Sequence, residues 1–175
     1  NRDPGAAPHG VFPCAGDDRW IALGCFSDAH WEGLQRTIAP DGTGWPYNPD
    51  FATMLGRKAN EDELEQLLST WTSSWDVGAL METLQSSGVP AGMVNDCRDL
   101  FDDAQLQHRG HFQWLDHPEI GPYATDRSEM ILSLSPGSLD TPAPLLGEHN
   151  SHVLKSLIGL TDDEYMSLEE DGVLE

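Results

Sequence analysis

Apolar positions in the first ninety residues fall in short runs whose spacing shifts from two to three and four. Val11-Phe12-Pro13-Cys14 and Arg19-Trp20-Ile21-Ala22-Leu23-Gly24-Cys25-Phe26 are β-prone runs separated by Ala15-Gly16-Asp17-Asp18, which predicts a hairpin. Pro13 has no amide hydrogen to offer a neighbour, so the first strand belongs at an edge or is interrupted. Ser27-Asp28 then leads into Trp31, Leu34 and Ile38, the apolar stripe of a capped helix. After a Gly- and Pro-rich loop over 40–49, Phe51, Met54 and Leu55 suit a short helix ending near Gly56. Asn60 with Glu63 suggests a capping box, and Leu64, Leu67, Leu68 and Trp71 form the stripe behind it. Asp76 predicts the cap of a further helix carrying Val77, Leu80, Met81 and Leu84 and stopping at Gly88.

The pattern loosens after that. Ala91–Val94 reads as a short strand and 98–108 as one helical stretch. Phe112–Asp116 and Met130–Leu132 are β-prone, with a turn at His117-Pro118-Glu119-Ile120-Gly121-Pro122. Ser135 to Pro144 is a Pro-rich connector with little helix or sheet signal. Val153, Leu154, Leu157 and Ile158 are helical again, and Thr161-Asp162-Asp163-Glu164 is a second capping box. The pattern predicts a compact α/β or α+β unit to about residue 115, then irregular strands and an extended arm with terminal helices. An arm that is mostly connector cannot bury itself, so it needs the rest of a larger chain or a second subunit to pack on.

Charge changes which partners are plausible. Nine Lys+Arg against 30 Asp+Glu give −21. Such a surface repels phosphate, which argues against nucleic acid and anionic membrane as partners and makes these residues alone a poor cradle for a phosphorylated ligand. With 38% hydrophobic residues the chain is too apolar to be read as disordered, and no apolar run approaches membrane-span length. Asn1-Arg2-Asp3-Pro4 has no initiator Met or leader character, so the chain reads as a fragment. Cys14, Cys25 and Cys97 form no CxxC pair or even framework, which suits buried thiols in a reducing, cytoplasmic compartment. A catalytic thiol would need a nearby base and an electropositive setting, and neither is visible.

The remaining candidate chemistry is weak. His108, His111 and His117 are spaced three and six apart, but Gly110 breaks the helix between the first two and Pro118 follows the third, so a zinc site is not expected. Glu61-Asp62-Glu63 and Asp162-Asp163-Glu164 stand at helix starts, where carboxylates meet the helix dipole, and Asp102-Asp103 lacks a calcium-loop pattern. Gly42-Thr43-Gly44 is not followed by the Lys-Ser/Thr of a phosphate loop. Trp20, Trp31, Trp71, Trp75 and Trp114 fall mostly on apolar faces and read as core.

Several strings together carry more weight. His9-Gly10-Val11-Phe12-Pro13-Cys14 and Gly16-Asp17-Asp18-Arg19-Trp20-Ile21-Ala22 come first, then Phe51-Ala52-Thr53 with Arg57, Asn60, Glu63 and Leu64. Gly88-Val89-Pro90-Ala91, Asp103-Ala104-Gln105-Leu106 and Arg109-Gly110 follow. The most specific are Asp116-His117-Pro118-Glu119-Ile120-Gly121-Pro122 and Pro142-Ala143-Pro144-Leu145-Leu146-Gly147-Glu148-His149-Asn150. Leu157-Ile158-Gly159-Leu160-Thr161 and Gly172-Val173-Leu174 close the series. In this order they resemble the C-terminal part of the family III CoA-transferases of the CaiB/BaiF, formyl-CoA transferase type.

The resemblance implies an organisation and a chemistry. Residues 1–9 would be the linker from a missing N-terminal large domain, 10–134 the small α/β domain, 135–149 the Pro-rich return linker, and 150–175 helices that dock on the large domain. Two full-length chains would interlock as a homodimer. The full-length enzyme would move CoA between carboxylic acids through an aspartyl anhydride and an enzyme-bound CoA thioester, with acyl-CoA as substrate and no covalently bound cofactor. The nucleophilic aspartate belongs to the other half, so no catalytic residue and no metal ligand is assigned here, and the fragment alone is expected to be inactive. The family's glycine-rich loop would fall around Pro4 to Gly10, where only Gly5 and Gly10 are glycine, so the loop is absent, reduced or truncated; His9 and Gly10 would line the rim of the substrate cleft. An acyl-CoA racemase relative and a non-catalytic acidic interaction module remain as alternatives.

Overall fold

The computed structural model describes residues 2–174 and separates into two compact units, Asn1–Asp96 and Cys97–Glu175. The first is built on a three-stranded antiparallel sheet of order β1-β2-β3, with β1 at His9–Pro13, β2 at Trp20–Gly24 and β3 at Ala91–Met93. The hairpin pairs His9 with Gly24, Val11 with Ala22 and Pro13 with Trp20, and β2 pairs Ala22 with Gly92. Pro13 lies in β1, an edge strand, where its missing N–H costs no ladder bond. Both sheets among the described residues are antiparallel, so of the two classes left open by the sequence the fold is α+β.

Alternation decides which face of this sheet is covered. Phe12, Ile21 and Leu23 point inward against four helices: α1 (Asp28–Ile38), α2 (Met54–Ala59), α3 (Glu61–Thr72) and α4 (Val77–Ser86). Trp31 and Leu34 come from α1, Leu64 and Leu68 from α3, and Leu80 and Leu84 from α4, all buried. Each such leucine contributes about 1.5–3 kcal/mol of burial. The helix starts are fixed by local oxygens. Ser27 Oγ accepts from the amide of His30 at 3.2 Å, Thr53 Oγ1 from Gly56 at 3.1 Å and Asp76 Oδ1 from Ala79 at 3.0 Å.

Two details of this unit differ from the sequence pattern. Asn60 precedes α3, but its side-chain amide turns back and donates to the Gly56 carbonyl at 3.0 Å, satisfying the end of α2 rather than the start of α3. The helix expected to end near Gly56 instead begins at Met54 and runs through it to Ala59, because Thr53 caps it; Leu55 is left exposed. The segment before β1 is built into the unit: Ala6 and Ala7 are buried, Ala7 N–H donates to Cys25 O at 3.2 Å, and Cys25 N–H donates to Pro8 O at 2.8 Å.

The second unit has a hairpin, β4 (Phe112–His117) paired with β5 (Gly121–Asp126), preceded by α5 (Cys97–Asp102) and α6 (Ala104–Arg109). The single helix expected over 98–108 is thus broken in two, because Asp103 leaves helical geometry to cap α6, accepting from Leu106 N–H at 2.8 Å. Met130–Leu132 is not a strand and is exposed; the partner of β4 is β5, set by the tight turn after His117. A wide π-type helix, His152–Ile158, and α7 (Asp162–Glu170) follow the Pro-rich stretch, and α7 carries the expected Thr161–Glu164 capping box. Every buried apolar side chain among the described residues belongs to the first unit, up to Val89. The second unit keeps its apolar residues at intermediate exposure or open to solvent.

Candidate functional site

Directly opposed residues of antiparallel strands share a face, so His9 and Val11 of β1, Ala22 and Gly24 of β2, and Gly92 of β3 lie together on the side of the sheet that the helices leave bare. Three small residues in the middle make a depression there of about 340 Å³, floored by the sheet and walled by His9, Val11, Phe26 and Pro90. His9 and Gly10, the two cleft-rim candidates from the sequence, both line it. Gly24 and Phe26 line it as well, and His30 stands against Phe26. The only sequence signal for them was the run of small residues opposite larger ones in the hairpin.

The geometry around Phe26 is specific. Its ring meets His9 edge-on at 5.5 Å between centroids and His30 edge-on at 6.3 Å. The backbone N–H of Phe26 donates to His30 Nδ1 at 3.2 Å, so the imidazole holds the chain just past β2. A Cβ on Gly24 would stand 2.9 Å from Phe26 Cε2 and 3.0 Å from His9 Cδ2. Glycine at 24 is what allows the two rings to converge over the sheet. The wall chemistry is apolar and aromatic with one imidazole, suited to holding an uncharged organic group rather than a phosphate.

The other candidates are structural in their surroundings. His117 Nδ1 accepts from the amides of Glu119 and Ile120 at 3.1 and 3.3 Å and so closes the β4–β5 turn, while His111 Nε2 faces Asp126 at 3.8 Å. Among the described residues no three His, Cys, Asp or Glu side chains come together as a metal site. Cys25 is fully buried, and burial pushes its thiol up to about 12; Cys14 is also raised, first by burial and then by the charge of Asp76. Both shifts run opposite to what a nucleophilic thiolate needs. Glu61 pairs with Lys58 at 2.8 Å, and Arg2 bridges Asp62 and Glu65, so these acids fasten the N-terminal segment to α3. No helix is long and apolar enough to cross a membrane among the described residues.

Comparison with known proteins places this geometry. The CoA-transferase family III model matches residues 1–150. A Mycobacterium tuberculosis protein named "Probable CoA-transferase" is 33% identical over 177 residues, covering 98% of this chain and 22% of that protein. The succinyl-CoA–D-citramalate CoA-transferase of Chloroflexus aurantiacus is 28% identical, covering 98% of this chain and 42% of the relative. Among solved structures, a CaiB/BaiF family protein from Brucella suis superimposes with a TM-score of 0.74 at 28% identity, over 90% of this chain and 39% of that one. The chain thus spans between about a fifth and two fifths of the length of these relatives. The ordered motifs, the fold and the matched span agree, and the chain belongs to CoA-transferase family III.

Proposed function

We propose that this chain is the small-domain and C-terminal part of an acyl-CoA transferase that moves CoA between carboxylic acids, and that the depression lined by His9 and Gly10 forms one wall of its acyl-CoA cleft. The observation that carries the reading is a coincidence of two facts. The family match runs over 1–150, and the relatives it draws on are two to five times longer than this chain. The covalent chemistry of an aspartyl anhydride and CoA thioester is then supplied by a large domain that this sequence does not contain. On this reading 1–9 enters from that domain, 135–149 returns to it, and the helices after Asn150 dock on it. The second unit supports this, because among its described residues no apolar side chain is buried, and Leu134, Leu146, Leu157 and Ile158 are exposed. Two such polypeptides would assemble as a homodimer. The three free cysteines suit a cytoplasmic setting.

The test is direct. The purified chain, given succinyl-CoA or formyl-CoA with an acceptor acid, should transfer no CoA; a large-domain polypeptide supplied separately should bind it and restore turnover. Turnover by this chain alone overturns the division of labour. Failure of any large domain of the family to bind it would favour a free-standing interaction module.

A further inference from the structure

Of the nine basic residues, Arg2, Arg19, Arg57, Lys58 and Lys155 each face a carboxylate within 4 Å. In a chain with 30 acids that is unsurprising. Arg36, Arg98, Arg109 and Arg127 do not, among the described residues, and of these four Arg109 and Arg127 share one site. Both open onto one concavity of the second unit, about 680 Å³ and more enclosed than the sheet face. That volume is within the range of small-molecule sites, about 300–1,000 Å³.

Local geometry brings the two guanidinium groups to the same mouth. Gly110 ends α6 in left-handed conformation at φ 60, which turns the chain directly after Arg109. Arg127 follows β5, and its backbone N–H donates to His111 O at 2.8 Å. The Arg127 Nη1 lies 3.6 Å from where a Cβ on Gly110 would stand, so that guanidinium rests over the glycine next to Arg109. Behind them the wall is apolar: Leu106 from α6, Met130, Ile131 and Leu132 from the connector, and Leu139. Leu139 is held against the hairpin, since its carbonyl accepts from Gln113 Nε2 at 2.5 Å. Glu129 also lines the rim, so two fixed positive charges stand against one negative.

We propose that this concavity binds an anionic amphiphile, a carboxylic acid with an apolar tail, its carboxylate held by Arg109 and Arg127 and its chain laid along Leu106, Met130, Ile131 and Leu139. Guanidinium forks match a carboxylate in planar, two-point geometry, and the site offers no acceptor cluster that would suit a cation. The wall behind the arginines is too apolar for a purely hydrophilic dianion to displace water from it with gain. The inference concerns the second unit alone and does not rest on the CoA-transferase reading.

Isothermal titration of the full chain with sodium decanoate, below its micelle concentration, tests it. The expected result is saturable binding of one decanoate per chain. Arg127→Gln and Arg109→Gln should each weaken it about tenfold or more, as loss of a charge-assisted bond does, and Arg127→Lys should weaken it less. Arg36→Gln, in the first unit, should leave it unchanged. Decanol should bind at least tenfold more weakly than decanoate. Circular dichroism of each variant checks that the fold persists, and a variant that has lost it is replaced by the matching Arg→Lys form. Non-saturable uptake, equal binding of decanol, or equal weakening by Arg36→Gln overturns the proposal.

Discussion

Arg57 Nε donates to the carbonyl oxygen of Ala7 at 2.7 Å, so a fully buried guanidinium on α2 holds the segment that enters β1. Its Nη1 reaches Phe51 O at 3.2 Å, and its plane lies 5.0 Å from the Trp31 ring. One arginine therefore ties the N-terminal segment, the turn before α2 and α1 to each other. The charge is balanced only loosely, since Asp28 sits 3.4 Å away with its carboxylate mostly in solvent.

Arg57→Met should cost about 2–4 kcal/mol, because two buried carbonyls lose their donors at about 1–3 kcal/mol each while the methionine recovers some packing. Asp28→Asn should cost less than about 1 kcal/mol, as an exposed ion pair does. Urea denaturation monitored by tryptophan fluorescence measures both. Equal losses from the two variants would show that the ion pair, rather than the carbonyl bonds, holds the arginine.

How much of this was legible beforehand follows from how local each signal is. The hairpin, the Ser27 and Asp76 caps and the Leu64–Leu68 stripe are set within four residues, and all appear. Asn60 is not a start signal, because its side chain joins its own backbone N–H on the Gly56 carbonyl of the preceding helix, a choice the spacing cannot reveal. Met130–Leu132 has strand composition without strand pairing: the β4–β5 hairpin closes on the turn after His117, and 130–132 stays exposed. The bare sheet face was half visible. The family resemblance points to His9 and Gly10, whereas Phe26 reaches the same depression, with His30 packed against its ring, only in the folded chain.

Gly24→Val should fill the depression from its floor. The added isopropyl group must displace the ring of His9 or Phe26, which stand within about 3 Å of its first carbon. The core lies on the opposite face of the sheet, so the melting temperature should fall by only a few degrees. In an enzyme reassembled with a large domain, the proposal above requires the KM for acyl-CoA to rise at least tenfold with the fold intact. An unchanged KM would remove this face from the cleft.

Thiol chemistry should separate the three cysteines. With its thiol pushed up to about 12, Cys25 is thiolate in only about one molecule in ten thousand at pH 8, and it is sealed from solvent. Cys14 is buried and raised in the same direction, whereas Cys97 is exposed. One thiol per chain should react quickly with iodoacetamide at pH 8, and peptide mapping should find it at Cys97. The linkage follows in sign. A thiol that ionises later in the folded chain than in the unfolded one favours unfolding once pH passes the ordinary thiol range. Stability should therefore decline between about pH 9 and 12, and Cys25→Ala should flatten that decline. An equally steep decline in Cys25→Ala would assign it to other groups.

At the far end of the chain, Thr161 and Glu164 close a reciprocal box. Glu164 N–H donates to Thr161 Oγ1 at 3.3 Å, and Thr161 N–H donates to Glu164 Oε2 at 2.8 Å. The bond from Thr161 N–H first, and then the Thr161 hydroxyl donating to the same Oε2 at 2.8 Å, hold the Glu164 carboxyl below the usual range. A carboxylate whose folded value is depressed supports the helix above its ordinary range and loses that support as pH falls through the depressed one. Amide protection over 162–170 should accordingly weaken below about pH 4, and Glu164→Gln should reduce the pH dependence, since glutamine can still accept but does not titrate. Thr161→Ala should raise exchange of the same amides at every pH, by the roughly fivefold that about 1 kcal/mol of capping represents. Lys155, 2.9 Å from Asp162, depresses that carboxyl too, so Asp162→Asn in the Glu164→Gln background separates the two acids. If the double variant still loses protection on acidification, the fraying begins in the π-type helix before Gly159 rather than at the box.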